Sequence, residues 1–238
     1  MLLVYFGGES KLIRFWGQPK FDPINAKIIG YELFLREQSM LGSHWRVPAD
    51  FSCFTPETVI EMLAGTLNTL PKGLKVVSFN LDQEQFIDPA FTQLIIDLKS
   101  TVSYQLVVEL TERIGNGIRN VRLQDLIDAA KHLADADVGV CIDDIGTGKN
   151  QLALVEALDP YVFEYKYALQ NVRGKLDSDT IAIQISTWHK RAIDHGKVFV
   201  LEGFEEAADT EYIEHFHPDI VQGYFYGRPH NIPVAADF

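Results

Sequence analysis

The sequence predicts a single α/β domain with the fold of a modified TIM, or (β/α)8, barrel whose first strand runs antiparallel. Eight short segments have strand character, and after the second of them the strands alternate with helical patterns. The chain has 238 residues, close to the length of about 250 that is typical of such a barrel. Only a turn cluster at residues 22–26 separates the first two strands. Because that leaves no room for a crossover helix, we expect these two strands to pair antiparallel.

The predicted strands are apolar or alternating runs bounded by turn residues. The first covers residues 12–16 and is expected to stop at Gln18-Pro19, since proline cannot donate to a sheet ladder. The second covers residues 27–36 and alternates with a period of two. The remaining six cover residues 76–79, 106–108, 138–142, 162–165, 198–201 and 219–221.

The predicted helices have apolar residues at helical spacing and recognisable ends. Thr55 is an N-cap residue with Pro56 at the first helical position, and this helix is expected to end before Pro71. Gly196 is expected to cap another helix at its C-terminus. The other helical segments cover residues 83–99, 123–133, 150–158, 181–195 and 207–216.

Composition limits the classes of function. The formal net charge of −12 argues against nonspecific binding to nucleic acid or anionic lipid, although metal ions would admit a phosphorylated ligand. Cys53 and Cys141 lack zinc-site spacing, which predicts a reduced, cytoplasmic compartment. Without a basic N-terminal segment or an apolar run of about 18 residues, we expect neither a signal peptide nor a membrane span. No repeat or linker divides the chain, so we expect one domain over residues 1–238 with its core at about 18–230.

Acids and amides directly follow the apolar part of six predicted strands. The carboxyl ends of the strands of a barrel converge on one face, so we expect these side chains to meet there. The alternative is that each of them independently caps a neighbouring helix. The residues are Glu32, Asn80, Glu109, Asp143, Asp144, Glu202 and Gln222.

Such a cluster of carboxylates would repel itself unless cations held it. Hard ions such as Mg²⁺ or Mn²⁺ suit oxygen ligands when no His or Cys is among them. Two ions of this kind would clamp a phosphodiester and its attacking water. The pattern therefore favours a two-metal site.

The stretch at residues 138–148 combines an apolar run, the carboxylates Asp143 and Asp144, and a Gly-Thr-Gly turn. Consecutive strand residues point to opposite faces, so these two cannot both be ordinary charges of one flat edge. Neutralisation by a divalent ion and a strand-ending turn that accepts backbone N–H bonds both fit this stretch alone. For Glu32 and Arg36, which share a strand face, the alternation alone favours a solvated face with a salt bridge.

Six motifs in order resemble those of the EAL-domain family, bacterial phosphodiesterases that open cyclic di-GMP. Gly30-Tyr-Glu-Leu-Phe-Leu-Arg36 is similar to the signature Gly-x-Glu-Ala-Leu-x-Arg, with Leu33 and Phe34 as departures. The resemblance runs from about Gln18 to Pro229. The other motifs are Asn80 in Phe-Asn-Leu, Glu109-Leu-Thr-Glu112, Asp143-Asp-Ile-Gly-Thr-Gly148, Glu202-Gly-Phe-Glu205 and Gln222-Gly-Tyr224.

The resemblance implies a barrel with an antiparallel first strand and a site with two Mg²⁺ or Mn²⁺ ions. It implies metal ligands at Glu32, Asn80, Glu109 and Asp143, with Asp144 at the second ion. Glu202 would lie by the reactive water, and Gln222, Gln18 and Arg36 would contact the ligand or support its site. Glu112, Gly146, Thr147 and Gly148 would couple metal binding to a homodimer contact. Water would attack phosphorus in line and release linear pGpG.

One motif departs from the family, which carries Lys-x-Asp at the end of the sixth strand, with the Lys orienting the attacking water. This chain has Glu164-Tyr-Lys166 there, so both charges are inverted. Lys166 could reach the water from one step further along, or the site could keep metals and ligand but lose turnover. The inversion favours loss of efficient hydrolysis. The structural alternative is a Glu164–Lys166 salt bridge across the pocket mouth.

Two other functions fit the residues. One is a catalytically inactive regulator that binds cyclic di-GMP or a protein. The other is an unrelated Mg²⁺-dependent barrel enzyme acting on a phosphorylated sugar or enolate, with Lys166 as its base. No sensory domain precedes residue 18 in this sequence, which predicts regulation by a separate protein.

Overall fold

The computed structural model describes residues 2–6, 9–39, 42, 44–48, 51, 54–111, 121–146 and 152–232. Cys53, Glu112, Thr147 and Gly148 lie outside the described residues. Within them, ten strands form one sheet. The strands are β1 (Leu2–Phe6), β2 (Glu9–Phe21), β3 (Ile28–Ser39), β4 (Val76–Leu81), β5 (Gln105–Leu110), β6 (Gly139–Ile142), β7 (Glu164–Ala168), β8 (Val198–Glu202), β9 (Ile220–Gln222) and β10 (His230–Asn231).

Strands β2 to β9 close into an eight-stranded barrel, which confirms the predicted fold class. Strand β2 pairs antiparallel with β3, and each strand from β3 to β8 pairs in parallel with the next. The barrel closes where Phe21 of β2 pairs antiparallel with Val221 of β9. The predicted antiparallel start is therefore present. Strands β1 and β10, which were not predicted, add to β2 outside this ring.

The prediction that the first strand stops at Gln18-Pro19 is wrong, because β2 continues through Pro19 to Phe21. On one edge Pro19 pairs with Tyr31 of β3. On its other edge β2 pairs through Gly17 and then through Phe21. Pro19 lies between these two pairings, so its missing N–H removes no ladder bond on that side. The continuation carries Lys20 into the barrel.

Helices cover the outside of the barrel. Thr55 caps the first of them and accepts a bond from the Thr58 N–H, as predicted, and Gly196 ends the longest with a φ of 64°. The predicted helix at 83–99 is two helices, because Pro89 cannot continue the first and Asp88 caps the second. The helices are α1 (Pro56–Leu67), α2 (Gln83–Phe86), α3 (Pro89–Lys99), α4 (Leu123–Asp135), α5 (Leu152–Leu158), α6 (Leu169–Val172), α7 (Ser178–His195) and α8 (Glu211–Phe216).

Strand β7 (Glu164–Ala168) lies later in the chain than the strand predicted at residues 162–165. This shift changes where the charged side chains of Glu164 and Lys166 lie. Tyr165 and Tyr167 point outward, toward α7. The ring of Tyr165 lies 6.4 Å from the ring of Trp188, and the Tyr167 hydroxyl donates to Gln184 Oε1 at 2.7 Å. Because alternate strand residues face opposite ways, Glu164 and Lys166 face the interior of the barrel. They share a face as predicted, but they lie inside the barrel and not at its mouth.

The barrel interior changes from apolar to polar along the strands. Its lower layer is a small apolar cluster of Val76, Val107, Cys141, Val200 and Ile220. Residues two positions further along a strand face the same way. Those positions hold Ser78, Glu109, Asp143, Glu202 and Gln222. The polar layer therefore lies toward the carboxyl ends of the strands. No helix of the described chain has the length and apolar character needed to cross a membrane.

Candidate functional site

The ammonium group of Lys166 lies at the centre of the polar layer. Its Nζ is 2.8 Å from a carboxylate oxygen of Glu32 and 2.8 Å from one of Glu109. It also lies 3.0 Å from Glu202 and 3.4 Å from Asp143. The Lys166 side chain is 2% exposed. One buried cation therefore contacts four carboxylates contributed by four different parts of the barrel.

Glu32 accepts hydrogen bonds from three side chains. Its Oε1 accepts a bond from Asn80 Nδ2 at 2.7 Å, and its Oε2 accepts one from Gln222 Nε2 at 2.9 Å besides that from Lys166. Burial and the neighbouring Glu109 nevertheless raise the pKa of Glu32 to about 7. The expectation of a solvated strand face is wrong for Glu32, which is buried because β3 lines the barrel.

A second buried lysine, Lys20, compensates the lower part of the cluster. Its Nζ lies 3.0 Å from Glu109 Oε1 and 3.3 Å from Glu164 Oε1, and all three side chains are fully buried. The predicted Glu164–Lys166 bridge across the mouth is wrong, since each residue pairs with other groups. Sequence reasoning missed Lys20 because it ended the strand at Pro19. Continued alternation would have placed Lys20 on the face of Gln18.

The charges of the cluster shift one another's ionisation. Burial alone would lower the pKa of Lys20, but the carboxylates of Glu109 and Glu164 outweigh it and raise that pKa. Burial likewise opposes the charge of Glu109, yet Lys166 and Lys20 hold its pKa below the ordinary range. Burial raises the pKa of Asp143 and of Glu164. Lys166 stays charged because its acidic neighbours raise its pKa despite burial.

Asp143 and Asp144 leave the end of β6 in a turn, where Asp144 has a φ of 54°. In this turn both side chains reach the same region, and they lie with Glu202 so that one ligand oxygen from each is within 4.8 Å of the others. Strand alternation does not separate the two side chains, because the strand ends at Ile142. Carboxylate oxygens so arranged could hold one divalent ion.

The four predicted ligands of the first ion suit a metal less well than the group of Asp143, Asp144 and Glu202 does. These ligands are Glu32, Asn80, Glu109 and Asp143. Asn80 turns its nitrogen toward Glu32, as assigned from the hydrogen bond. Both oxygens of Glu109 contact a lysine ammonium. A cation is thus already present where these donors meet. The chemistry of the donors suits a divalent ion, but their partners in this structure are protein groups.

A cavity of about 420 Å³ opens above the cluster. Arg36 lies at its wall with the guanidinium over the rings of Trp16 and Phe34. Gln18 also lines it and donates to the Gly227 carbonyl at 3.1 Å. The predicted site residues that line it are Gln18, Glu32, Arg36, Asn80, Asp143, Asp144, Lys166, Glu202 and Gln222.

Three of the predicted site residues, Glu109, Glu164 and Gly146, do not line the cavity. Glu109 and Glu164 lie buried below the cavity floor and are absent from its lining. Gly146 is exposed in the turn after β6 with a φ of 78°, and a Cβ there would lie 2.5 Å from Trp188 Nε1. A side chain at this position would therefore disturb the turn that carries Asp143 and Asp144.

The closed barrel and its acidic cavity define an α/β-barrel domain with a ligand site at the carboxyl ends of its strands. Residues 8–229 match the family model of the EAL domain, and the chain belongs to that family.

Known relatives agree with this assignment. The chain is 28% identical over 127 residues to a protein of Escherichia coli (strain K12) named probable cyclic di-GMP phosphodiesterase PdeD. That match covers 52% of this chain and 22% of the relative, so the chain spans only a small part of the relative's length.

Solved structures share the fold. An EAL domain protein from Listeria monocytogenes EGD-e has a TM-score of 0.75 at 24% identity, covering 92% of this chain and 88% of that one. The Bacillus subtilis YkuI protein, in complex with cyclic di-GMP and calcium, has a TM-score of 0.72 at 16% identity. That comparison covers 93% of this chain and 57% of the other. At these identities the likeness establishes the barrel fold.

Proposed function

We propose that this EAL domain binds cyclic di-GMP in the cavity above the acidic cluster and hydrolyses it slowly or not at all. In this role it is a receptor in cyclic di-GMP signalling. The observation that carries the proposal is the Lys166 ammonium, which lies within 3.4 Å of four carboxylates. Three of these carboxylates are assigned to the first metal ion by the family resemblance, and the fourth, Glu202, is assigned to the reactive water.

The same residues argue against efficient turnover. Hydrolysis by two metals requires carboxylates that are free to hold both ions about 3.5–4 Å apart. In this chain Lys166 already contacts Glu32, Glu109, Asp143 and Glu202. Glu164 stands where the family has the Lys that orients water, and it pairs with Lys20. Loss of one positioned catalytic group typically lowers the rate by about 10²–10⁴.

The cavity retains features suited to the ligand. Arg36 offers a guanidinium fork to a phosphate, a pairing favoured by both charge and geometry. Phe34, Phe51 and Tyr224 line the cavity and give apolar surface for bases. The Lys166 ammonium reduces the repulsion between a ligand phosphate and the carboxylates of the cavity floor. These features support phosphate-ester binding by a chain whose net charge is −12.

A second candidate is an active phosphodiesterase that hydrolyses cyclic di-GMP with two bound Mg²⁺ or Mn²⁺ ions. The close approach of Asp143, Asp144 and Glu202 favours it, because these three carboxylates could hold an ion. In this case Glu202 acts beside the reactive water and the product is linear pGpG. A homodimer, a separate regulatory protein and a cytoplasmic location remain predictions of the family resemblance and the composition.

The turnover assay separates the two candidates. Purified protein is incubated with cyclic di-GMP and either Mg²⁺, Mn²⁺ or EDTA, and pGpG is quantified by chromatography. We expect little or no product under each condition. Brisk hydrolysis that EDTA abolishes would reject the receptor proposal in favour of the enzyme.

Ligand binding is tested by isothermal titration calorimetry. We expect the wild-type protein to bind cyclic di-GMP with or without EDTA, and Arg36→Ala to bind at least tenfold more weakly. Arg122→Ala is the matched control, because Arg122 is exposed and pairs locally with Asp125. Absence of wild-type binding in both metal conditions would remove cyclic di-GMP as the ligand.

A further inference from the structure

We propose that the Lys166 ammonium is a built-in replacement for one divalent cation, so that this chain binds at most one divalent ion. The family fold implies two ions. In this chain the residues at the position of the first ion do not fit a divalent metal. The proposal concerns the protein's own charges, and it holds whether or not cyclic di-GMP is the ligand.

The contacts of Lys166 are those of a bound cation. Its Nζ–O distances of 2.8, 2.8, 3.0 and 3.4 Å reach carboxylates on or beside β3, β5, β8 and β6. A Mg²⁺ ion at this point would need oxygens at about 2.0–2.1 Å. An ammonium and a metal ion cannot both occupy the space between the same oxygens. Metal binding here would therefore require Lys166 to leave.

Both carboxylate oxygens of Glu109 and both of Glu32 are engaged by protein groups. Glu109 gives one oxygen to Lys20 and the other to Lys166. Glu32 gives one oxygen to Asn80 and the other to Lys166 and Gln222. An Asn ligates a hard cation through its oxygen. Asn80 instead donates a hydrogen bond from its nitrogen to the Glu32 carboxylate.

Displacement of Lys166 would be costly. The side chain is 2% exposed, and its stem extends from the interior face of β7. Its departure would leave Glu32 and Glu109 without their shared counter-ion in a buried setting, where an unpaired charge is strongly unfavourable. Lys20 cannot replace it, because Lys20 is held between Glu109 and Glu164. The two lysines together form a fixed set of internal counter-ions.

Space for one ion remains at the rim. Asp144 lies in the turn after β6, and its Oδ1 accepts a hydrogen bond from Asn171 Nδ2 at 2.6 Å. Together with oxygens of Asp143 and Glu202 it could complete a single site. The expected capacity of the wild-type chain is therefore zero or one divalent ion.

Counting bound Mn²⁺ tests the proposal. Electron paramagnetic resonance of free Mn²⁺ gives the number of ions bound per chain for wild type, Lys166→Ala and Lys166→Gln, each purified with Mn²⁺ present. We expect the neutral variants to bind one more ion than wild type, because the ammonium is gone and the carboxylates remain. Lys166→Arg keeps the charge and Lys190→Ala lies on the exposed face of α7, so both should match wild type.

A crystallographic measurement on the wild-type chain does not depend on any variant folding. In Mn²⁺-soaked crystals, we expect no anomalous peak within ligand distance of both Glu32 and Glu109. A peak there, two ions per wild-type chain, or no additional ion in either neutral variant would each overturn the proposal. Loss of cyclic di-GMP binding alone would reject the proposed function and leave this inference unaffected.

Discussion

Lys20→Met removes a buried cation while keeping most of the side-chain volume, and we expect it to destabilise the barrel strongly. Lys20 is fully buried and lies 3.0 Å from Glu109 and 3.3 Å from Glu164. Glu109 would keep Lys166 as a partner, whereas Glu164 would lose its only ion pair among the described residues. The cost therefore arises mainly from the stranded Glu164 carboxylate.

The expected magnitude follows from that burial. Removing one partner of a buried ion pair typically costs about 3–5 kcal/mol, since the other charge stays uncompensated. For a domain of about this length, 1 kcal/mol shifts the melting temperature by about 2–4 °C. Lys20→Met should therefore melt about 6–20 °C below wild type. Urea unfolding followed by circular dichroism gives the free energy, and calorimetry gives the melting temperature.

Two further variants make this measurement decisive. Lys190→Met is the matched control, because its pair with Asp194 is 2.6 Å long but exposed, and it should cost no more than about 0.5 kcal/mol. The double variant Lys20→Met/Glu164→Met removes both charges and should be more stable than the sum of the single changes by about 0.5–3 kcal/mol. A loss below about 1 kcal/mol for Lys20→Met, or strict additivity, would refute the assigned pairing.

Two further substitutions test the packing of β3 against β4 and the bonds of Asp159. Gly30→Ala places a Cβ 2.0 Å from the Val76 carbonyl oxygen, so we expect β3 and β4 to separate at a cost of about 1–3 kcal/mol in urea unfolding; wild-type stability would contradict this packing. Asp159→Asn weakens bonds from Tyr165 and His195 and should cost about 1–2 kcal/mol at pH 7. Burial opposes the charge of Asp159, but these bonds lower its pKa overall. Its stabilising effect is therefore complete above the unfolded pKa of about 3.9 and lost as pH falls through the lower folded pKa, so the stabilities of the two proteins should differ at pH 7 and converge as the pH falls to the folded pKa. A constant difference from pH 7 to pH 3 would contradict that sign.

Several parts of the fold could be predicted because their causes are local. Thr55 and Gly196 mark helix ends through their own backbone and side-chain preferences. The short turn before β3 restricts β2 and β3 to an antiparallel pair. Boundaries failed where tertiary pairing outweighs local preference. Pro19 continues a strand because of where β9 and β10 attach. The division at Pro89 has a local cause instead, since Asp88 and Pro89 start a new helix within a stretch whose apolar spacing looked continuous.

The alternation of strands with helices was sufficient to predict the barrel, and the acids and amides after the apolar runs predicted the face on which Glu32, Glu109 and Asp143 meet. Strand alternation and parallel pairing determine that face, and both are written into the chain as short-range patterns. Only the tertiary structure decided which charges neutralise one another. Lys20 and Glu164 are 144 residues apart, and Lys166 contacts Glu32 across 134. Such pairs depend on how the closed barrel aligns the inward faces of distant strands, and no periodicity in the sequence records that alignment.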